Sequence, residues 1–310
     1  MKFLTYSYNG IKALGCLINQ SDVLNISHLS NGDIPNNLSD YLIDFDLNNV
    51  LLNQIINSNF INTINLNKVK IESLIQPKSF RDFYAFRQHV EAGRKSRGLD
   101  MIPEYDEFPV FYFSNHNSVT GPGEIELFSK QIDKLDFELE IGLIISKHGR
   151  NIKAKDAFKH VAGFTILNDW SSRAIQMKEM KLNLGPAKGK DFATTIGPYL
   201  VTLDELQDKM VGNIEELRYD LKMEAFLNNK LVSTDNFKNI TWSFSDMIER
   251  ASYGVDLLPG DLIGSGTCAT GCLLELNQIN NKNVWLKDGD TIRLSIDELG
   301  VLENKINCID

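Results

Sequence analysis

In the run from residue 135 to 146 the first nine residues alternate: Leu135, Phe137, Leu139, Ile141 and Leu143 are apolar, and Asp136, Glu138, Glu140 and Gly142 fall between them. Successive side chains leave opposite faces of a strand, so this period of two predicts a β-strand with one face in a core and the other acidic. Glu138 and Glu140 then share a face with Cα atoms roughly 6.6–6.8 Å apart, a separation at which two flexible carboxylates can converge on one cation. An exposed acidic strand face has the same spacing, so the pair alone leaves both readings open.

The composition supplies the core such strands need: 43% of the 310 residues are hydrophobic and 24% are charged, the balance of a globular protein rather than a disordered one. With 41 acidic against 32 basic side chains the formal charge is −9, which argues against a nucleic-acid-binding face. The apolar runs fall far short of the ~20 residues that cross a bilayer, so no membrane span is expected. The first ten residues have none of the features of a signal peptide. The four cysteines, Cys16, Cys268, Cys272 and Cys308, form no paired CxxC set. Together these features predict free thiols and a cytoplasmic location.

Asn9-Gly10 separates two β-like runs, residues 2–8 and 11–18, and predicts a hairpin. Residues 36–60 are rich in Asn, Leu and Ile at helix-like spacing. Ile75-Gln76-Pro77-Lys78 breaks that pattern and divides the chain into a small β-rich domain, 1–75, and a larger one, 76–310. In the larger part the spacing predicts a helix over residues 80–94, a short helix near 155–160 and a strand over 163–167. Residues 245–250 read as a further helix, and hairpin signals fall at Pro259-Gly260-Asp261 and Asp288-Gly289. The expectation is an α+β fold in which β predominates.

Asp169 ends the predicted strand in Asn168-Asp169-Trp170-Ser171-Ser172, where a carboxylate either reaches a site at the sheet edge or caps the next helix. Asp82, in Arg81-Asp82-Phe83-Tyr84, either joins such a site or marks a helix start. Asp82, Glu138, Glu140 and Asp169 are oxygen donors without a Cys or His cluster, which suits Mg²⁺, Mn²⁺ or Ca²⁺ better than zinc. His89 reads either as a general base, since imidazole titrates near neutrality, or as a surface histidine on a helix. The segment 185–191 is a residue short for a phosphate loop and has Asp191 where Ser or Thr must meet Mg²⁺. Cys268 and Cys272 read as small buried residues without a role.

Several motifs, in order, resemble the fumarylacetoacetate hydrolase family. They are Asp82-Phe83-Tyr84 with Arg87-Gln88-His89, Glu138-x-Glu140, Asn168-Asp169-Trp170-Ser171-x-Arg173, Gly185-Pro186 with Gly189-Lys190-x-Phe192-x-Thr194-Thr195, and Gly266-Thr267 with Glu275. The resemblance covers about residues 80–300 and implies the family's mixed β-sandwich roll, a homodimer and a divalent cation, with Mg²⁺ placed ahead of Ca²⁺ and Mn²⁺. It implies that Asp82, Glu138, Glu140 and Asp169 ligate the metal, with Lys190 and Thr194 beside that shell. His89 resembles the base that activates water, Glu275 the carboxylate that orients or helps polarise that water, and Lys190 a cation that steadies charge developing on the substrate. Tyr84, Tyr112, Arg173, Gln176 and Thr267 resemble substrate-binding positions. The chain departs from the family's shorter acylpyruvate hydrolases at Ala92, where those have the Glu of a His-x-x-Glu pair, so the partner of His89 falls to Glu275. Met180 stands where the long fumarylacetoacetases carry a substrate-facing tyrosine.

The implied activity is hydrolysis of a C–C bond in a 1,3-diketo acid, fumarylacetoacetate-like or acylpyruvate-like. The alternatives are an isomerase, hydratase or decarboxylase of a 2-oxo acid on the same scaffold, or a protein that binds metal and acid without turnover. His89 and Lys190 favour an enzyme, because a bare metal site needs neither.

Overall fold

The computed structural model describes the chain from Met1 to Asp310 apart from residues 58–61, 96–97 and 184–185. Gly185 of the Gly185-Pro186 motif and the end of the predicted 36–60 helix therefore lie outside the described residues.

Asn9 and Gly10, with φ of 50° and 79°, make the tight turn that joins Lys2–Tyr8 to Ile11–Leu17. Positive φ at both turn positions matches the twist of the flanking strands. This hairpin belongs to a twelve-stranded sheet, with Asp22–Asn25 and Thr63–Asn65 paired outside it. Lys2 and Phe3 pair antiparallel with Val201 and Leu200 of Thr194–Val201. From there the sheet continues through Val161–Asp169, Leu139–Ile145, Leu262–Gly264, Phe80–Phe83 and Phe111–Phe113. The hairpin and the strands carrying the acidic motifs are thus one hydrogen-bonded surface.

Both faces of the central strands are covered. On one side a five-stranded sheet, with Lys222–Leu227, Thr291–Ile296 and Gly300–Cys308 at its centre, contributes Met223, Leu294 and Leu302 to a core with Ile141, Leu143 and Ile166. Phe164, Tyr219, Phe237 and Phe244 meet edge to face or tilted within that core. On the other side Tyr41, Leu42 and Leu52 of the N-terminal helical segment pack with Ile144, Leu167, Ile196 and Leu262.

This covering changes how the alternation of residues 135–146 is read. The run is two strands, Leu135–Asp136 and Leu139–Ile145, paired with different partners. Its acidic residues do not face solvent: Asp136 and Glu140 are 0% exposed and Glu138 is 5% exposed. The predicted helix over 80–94 is likewise divided. Phe80–Phe83 is a strand between Leu262–Gly264 and Phe111–Phe113, and only Arg87–Lys95 is helical. Pairing on both edges overrides the local spacing there.

Residues 36–57 contain helices Leu38–Tyr41 and Phe45–Ile56 rather than one helix. Ala154–His160 is a 3₁₀ segment, and the predicted strand and helix fall inside Val161–Asp169 and Phe244–Ser252. Pro259-Gly260-Asp261 does not close a hairpin, because Asp256–Leu257 pairs with Gly149–Arg150 while Leu262–Gly264 pairs in the large sheet. Asp288-Gly289 leads into Thr291–Ile296, and the Gly289 N–H donates to the Ile306 carbonyl at 3.0 Å. Among the described residues no helix is long and apolar enough to cross a membrane.

Candidate active site

Three strand ends bring three carboxylates together. Asp82 sits in Phe80–Phe83, Glu140 in Leu139–Ile145, and Asp169 closes Val161–Asp169. One ligand atom from each lies within 4.8 Å of the others, and all three residues are buried. Gly264, opposite both Asp82 and Gly142 in the sheet, leaves the room. A Cβ at that position would stand 2.4 Å from Asp82 Oδ1 and 3.2 Å from Glu140 Oε2. The Gly266 N–H donates to Glu140 Oε2 at 3.1 Å, and the Tyr112 hydroxyl lies 2.6 Å from Asp169 Oδ2 and 3.1 Å from Asp82 Oδ2.

Each carboxylate keeps one buried oxygen without a hydrogen-bond partner: Asp82 Oδ1, Glu140 Oε1 and Asp169 Oδ1. Unpaired buried carboxylates are costly, and three all-oxygen donors in reach of one point are what a hard divalent cation requires. The residues present therefore fit such an ion. Burial and the neighbouring Asp169 push the Asp82 carboxyl up to about 8. Burial and Asp82 hold Glu140 well above the usual carboxylate range, and Asp169 is raised by burial despite its contact with Lys190.

Both oxygens of Glu138, expected as a fourth ligand, are paired with cations. Arg173 Nη2 donates to Oε1 at 2.7 Å and Lys190 Nζ donates to Oε2. Burial alone would raise this carboxyl, but the Lys190 ammonium and the Arg173 guanidinium outweigh it and hold it low. Lys190 also donates to Asp169 Oδ2 at 2.7 Å. The two ion pairs keep its ammonium charged against the cost of burial. A protonated amine has no lone pair for an ion, so Lys190 is a counter-charge beside the cluster rather than a ligand. Thr194 lies opposite Asp169 across adjacent strands, buried and outside the cavity lining.

Across a cavity of about 580 Å³ from the carboxylates stands a second pair. His89, on Arg87–Lys95, places Nδ1 2.9 Å from Glu275 Oε2 on Leu273–Asn280. Both are buried, and the Tyr84 ring meets the imidazole edge-on at 5.7 Å between centroids. The surface-histidine reading of His89 is thereby set aside. Tyr84, Tyr112, Gln176 and Thr267 line the same cavity, as does Met180.

Arg173 also lines the cavity, but its guanidinium is already engaged by Asp136, Glu138 and Gln176. Sequence reasoning gave Asp136 no role. Its side chain accepts from the Leu273 and Leu274 N–H groups at 2.6 and 3.0 Å, capping the helix that carries Glu275, and it pairs with Arg173. The signal was its place in the same alternation as Glu138 and Glu140. Asp169 is not a helix cap, since its carboxylate turns back into the cluster.

Residues 78–307 match the family model for the fumarylacetoacetate (FAA) hydrolase C-terminal domain. A fumarylacetoacetase of Arabidopsis thaliana is 29% identical over 270 residues, covering 70% of this chain and 64% of the relative. The mitochondrial oxaloacetate tautomerase Fahd2a of Rattus norvegicus is 32% identical over 200 residues, covering 64% and 58%. The chain thus spans about three-fifths of the length of these curated relatives. The solved structure of a fumarylacetoacetate hydrolase from Exiguobacterium antarcticum superposes with a TM-score of 0.75 at 21% identity, covering 100% of both chains. That likeness bears out the expected β-predominant α+β fold.

Proposed function

The chain belongs to the fumarylacetoacetate hydrolase family, and on that premise we propose that it is a divalent-metal-dependent hydrolase cleaving a C–C bond in a 1,3-diketo acid. The observation that carries this reading is the His89–Glu275 pair facing the carboxylate cluster across one cavity. Asp82, Glu140 and Asp169 would hold the cation, Mg²⁺ ahead of Ca²⁺ and Mn²⁺, with Glu138 and Lys190 fixing their neighbours. A divalent ion there supplies positive charge that polarises a substrate carbonyl.

The protein groups supply the proton transfers. Glu275 on Nδ1 of His89 favours the tautomer with its proton on that nitrogen, leaving Nε2 to take a proton from water as the water oxygen adds to the carbonyl carbon. The C–C bond then breaks with its electron pair going to the departing carbon, and the imidazolium returns the proton there. Glu275 steadies the imidazolium in between, as a buried carboxylate does in other acyl-transfer sites. Tyr84, Gln176 and Thr267 wall the space a substrate would fill.

A second reading has its own support: the tautomerase relative is as similar to this chain as the fumarylacetoacetase. In a tautomerase or isomerase His89 would take a proton from carbon and return it, with no bond to water. The deciding experiment follows the absorbance of fumarylacetoacetate and of a short acylpyruvate, with and without Mg²⁺, alongside the enol of oxaloacetate. Metal-dependent loss of diketone absorbance that disappears in His89→Ala and Glu138→Ala supports the hydrolase. Conversion of the enol alone moves the assignment to the tautomerase. No turnover with Mg²⁺ still bound leaves a non-catalytic acid-binding protein. The proposal also includes a homodimer, checked by light scattering, and a cytoplasmic location compatible with four free cysteines.

A further inference from the structure

His89 and Glu275 meet a third donor that the reaction above does not use. Cys272 occupies the N-terminal cap of helix Leu273–Asn280 and is 0% exposed. A ring nitrogen of His89, the sulfur of Cys272 and a carboxylate oxygen of Glu275 all lie within 4.8 Å of one another. Nitrogen, sulfur and oxygen donors so gathered form the set that binds zinc, whose bonds to them run about 2.0–2.3 Å. This set differs in kind from the all-oxygen cluster of Asp82, Glu140 and Asp169, which suits hard cations. His89 and Glu275 line the same cavity as Asp82 and Glu140, so an ion entering the cavity meets two donors of each set, with the buried Cys272 sulfur behind the first pair.

From this geometry we propose that His89, Cys272 and Glu275 form a second metal site, selective for Zn²⁺ over Mg²⁺, and that zinc bound there silences the base. Occupation takes an imidazole nitrogen and a Glu275 oxygen into the ion's coordination, so neither is free to move a proton. Cys272 loses its thiol proton to solvent as the sulfur binds, and no electrons change hands. Three protein ligands leave one tetrahedral position for water. The silencing rests on the functional reading given above; the site itself does not.

The test holds the wild-type protein in excess Mg²⁺ and titrates it with Co²⁺ and then Zn²⁺, recording the near-ultraviolet thiolate-to-cobalt absorption. One equivalent of Co²⁺ is expected to produce the band, Zn²⁺ to remove it, and both Cys272→Ser and Cys272→Ala to lack it. In parallel, with each protein's turnover expressed relative to its own zinc-free rate, Zn²⁺ should inhibit the wild type more than about tenfold more potently than Cys272→Ser. Using both variants guards against one failing to fold. No band in the wild type, or a band that survives in either folded variant, overturns the site. Equal zinc sensitivity in wild type and variant overturns the silencing. A protein without turnover on any acid would fail the functional reading while the absorption arm still decides the site.

Discussion

For single residues, the governing problem in the site is negative charge packed without water. Gly264 is where Asp82 and Glu140 pass each other, and a methyl group there meets a carboxylate oxygen at 2.4 Å. Gly264→Ala is expected to spread the two carboxylates and weaken Mg²⁺ binding by more than about tenfold, read by isothermal titration calorimetry. Lys190 is the complementary case, a buried cation shared by Glu138 and Asp169. Removing one partner of a buried pair leaves its mate uncompensated, so Lys190→Met should destabilise the metal-free protein by about 3–5 kcal/mol in urea unfolding. The carboxylates were legible as candidates only: spacing left an acidic strand face and helix caps open for them, and it was the ordered resemblance to a family that gathered them into one set. What each one touches was not legible. That Glu138 answers to Arg173 and Lys190, and that Gly264 must be bare, follow from strands distant in sequence and leave no local spacing to read.

Among the elements, the reading succeeded where a segment's own pattern decides its structure and failed where neighbours decide. The Asn9-Gly10 hairpin and the helix Phe244–Ser252, with Ser243 and Asp246 closing a capping box, carry their instructions locally. Phe80–Phe83 does not: its aromatic, helix-like spacing yields to strands paired on both edges, and that pairing is what aims Asp82 at the cluster. The helix Leu273–Asn280 is positioned in the same nonlocal way. Asp136 accepts its first two N–H groups while holding Arg173, so one carboxylate couples the helix carrying Glu275 to the residue gripping Glu138. Asp136→Asn keeps the shape but weakens both contacts. We expect kcat to fall between about 10- and 100-fold with KM little changed, because small displacements of a positioned pair act on the chemical step. A merely structural role would lower the unfolding temperature and leave kcat per folded molecule intact.

The whole molecule joins a covered sheet to a site where three buried carboxylates stand close together. The break at Ile75-Gln76-Pro77-Lys78 reads as a domain boundary, yet Phe3 pairs with Leu200, and Leu14, Leu24 and Leu52 share a core with Ile144 and Ile196. Removing residues 1–75 would bare that face, so the fragment 76–310 is expected to be insoluble or partly unfolded, by expression trial and circular dichroism. Protonation supplies the other molecule-wide prediction. Asp82 moves from an ordinary 3.8 to about 8 in the metal-free fold, and Glu140 and Asp169 move in the same direction. A carboxyl raised on folding stabilises the fold fully below its unfolded pKa and loses that contribution as pH climbs through the folded value. Glu138, held low, has the opposite sign and changes only below its ordinary 4.5. From about pH 5 to about pH 8 the raised group therefore dominates this site, and the metal-free protein should melt at progressively lower temperature. On the proposed function, a divalent cation held by the deprotonated cluster would restore what the rising pH removes. The gain in melting temperature on adding Mg²⁺ should be small near about pH 5.5 and reach several degrees near about pH 8.5, with protons released on binding that decrease over the same range. A gain independent of pH in differential scanning fluorimetry would mean that Mg²⁺ binds away from Asp82, Glu140 and Asp169.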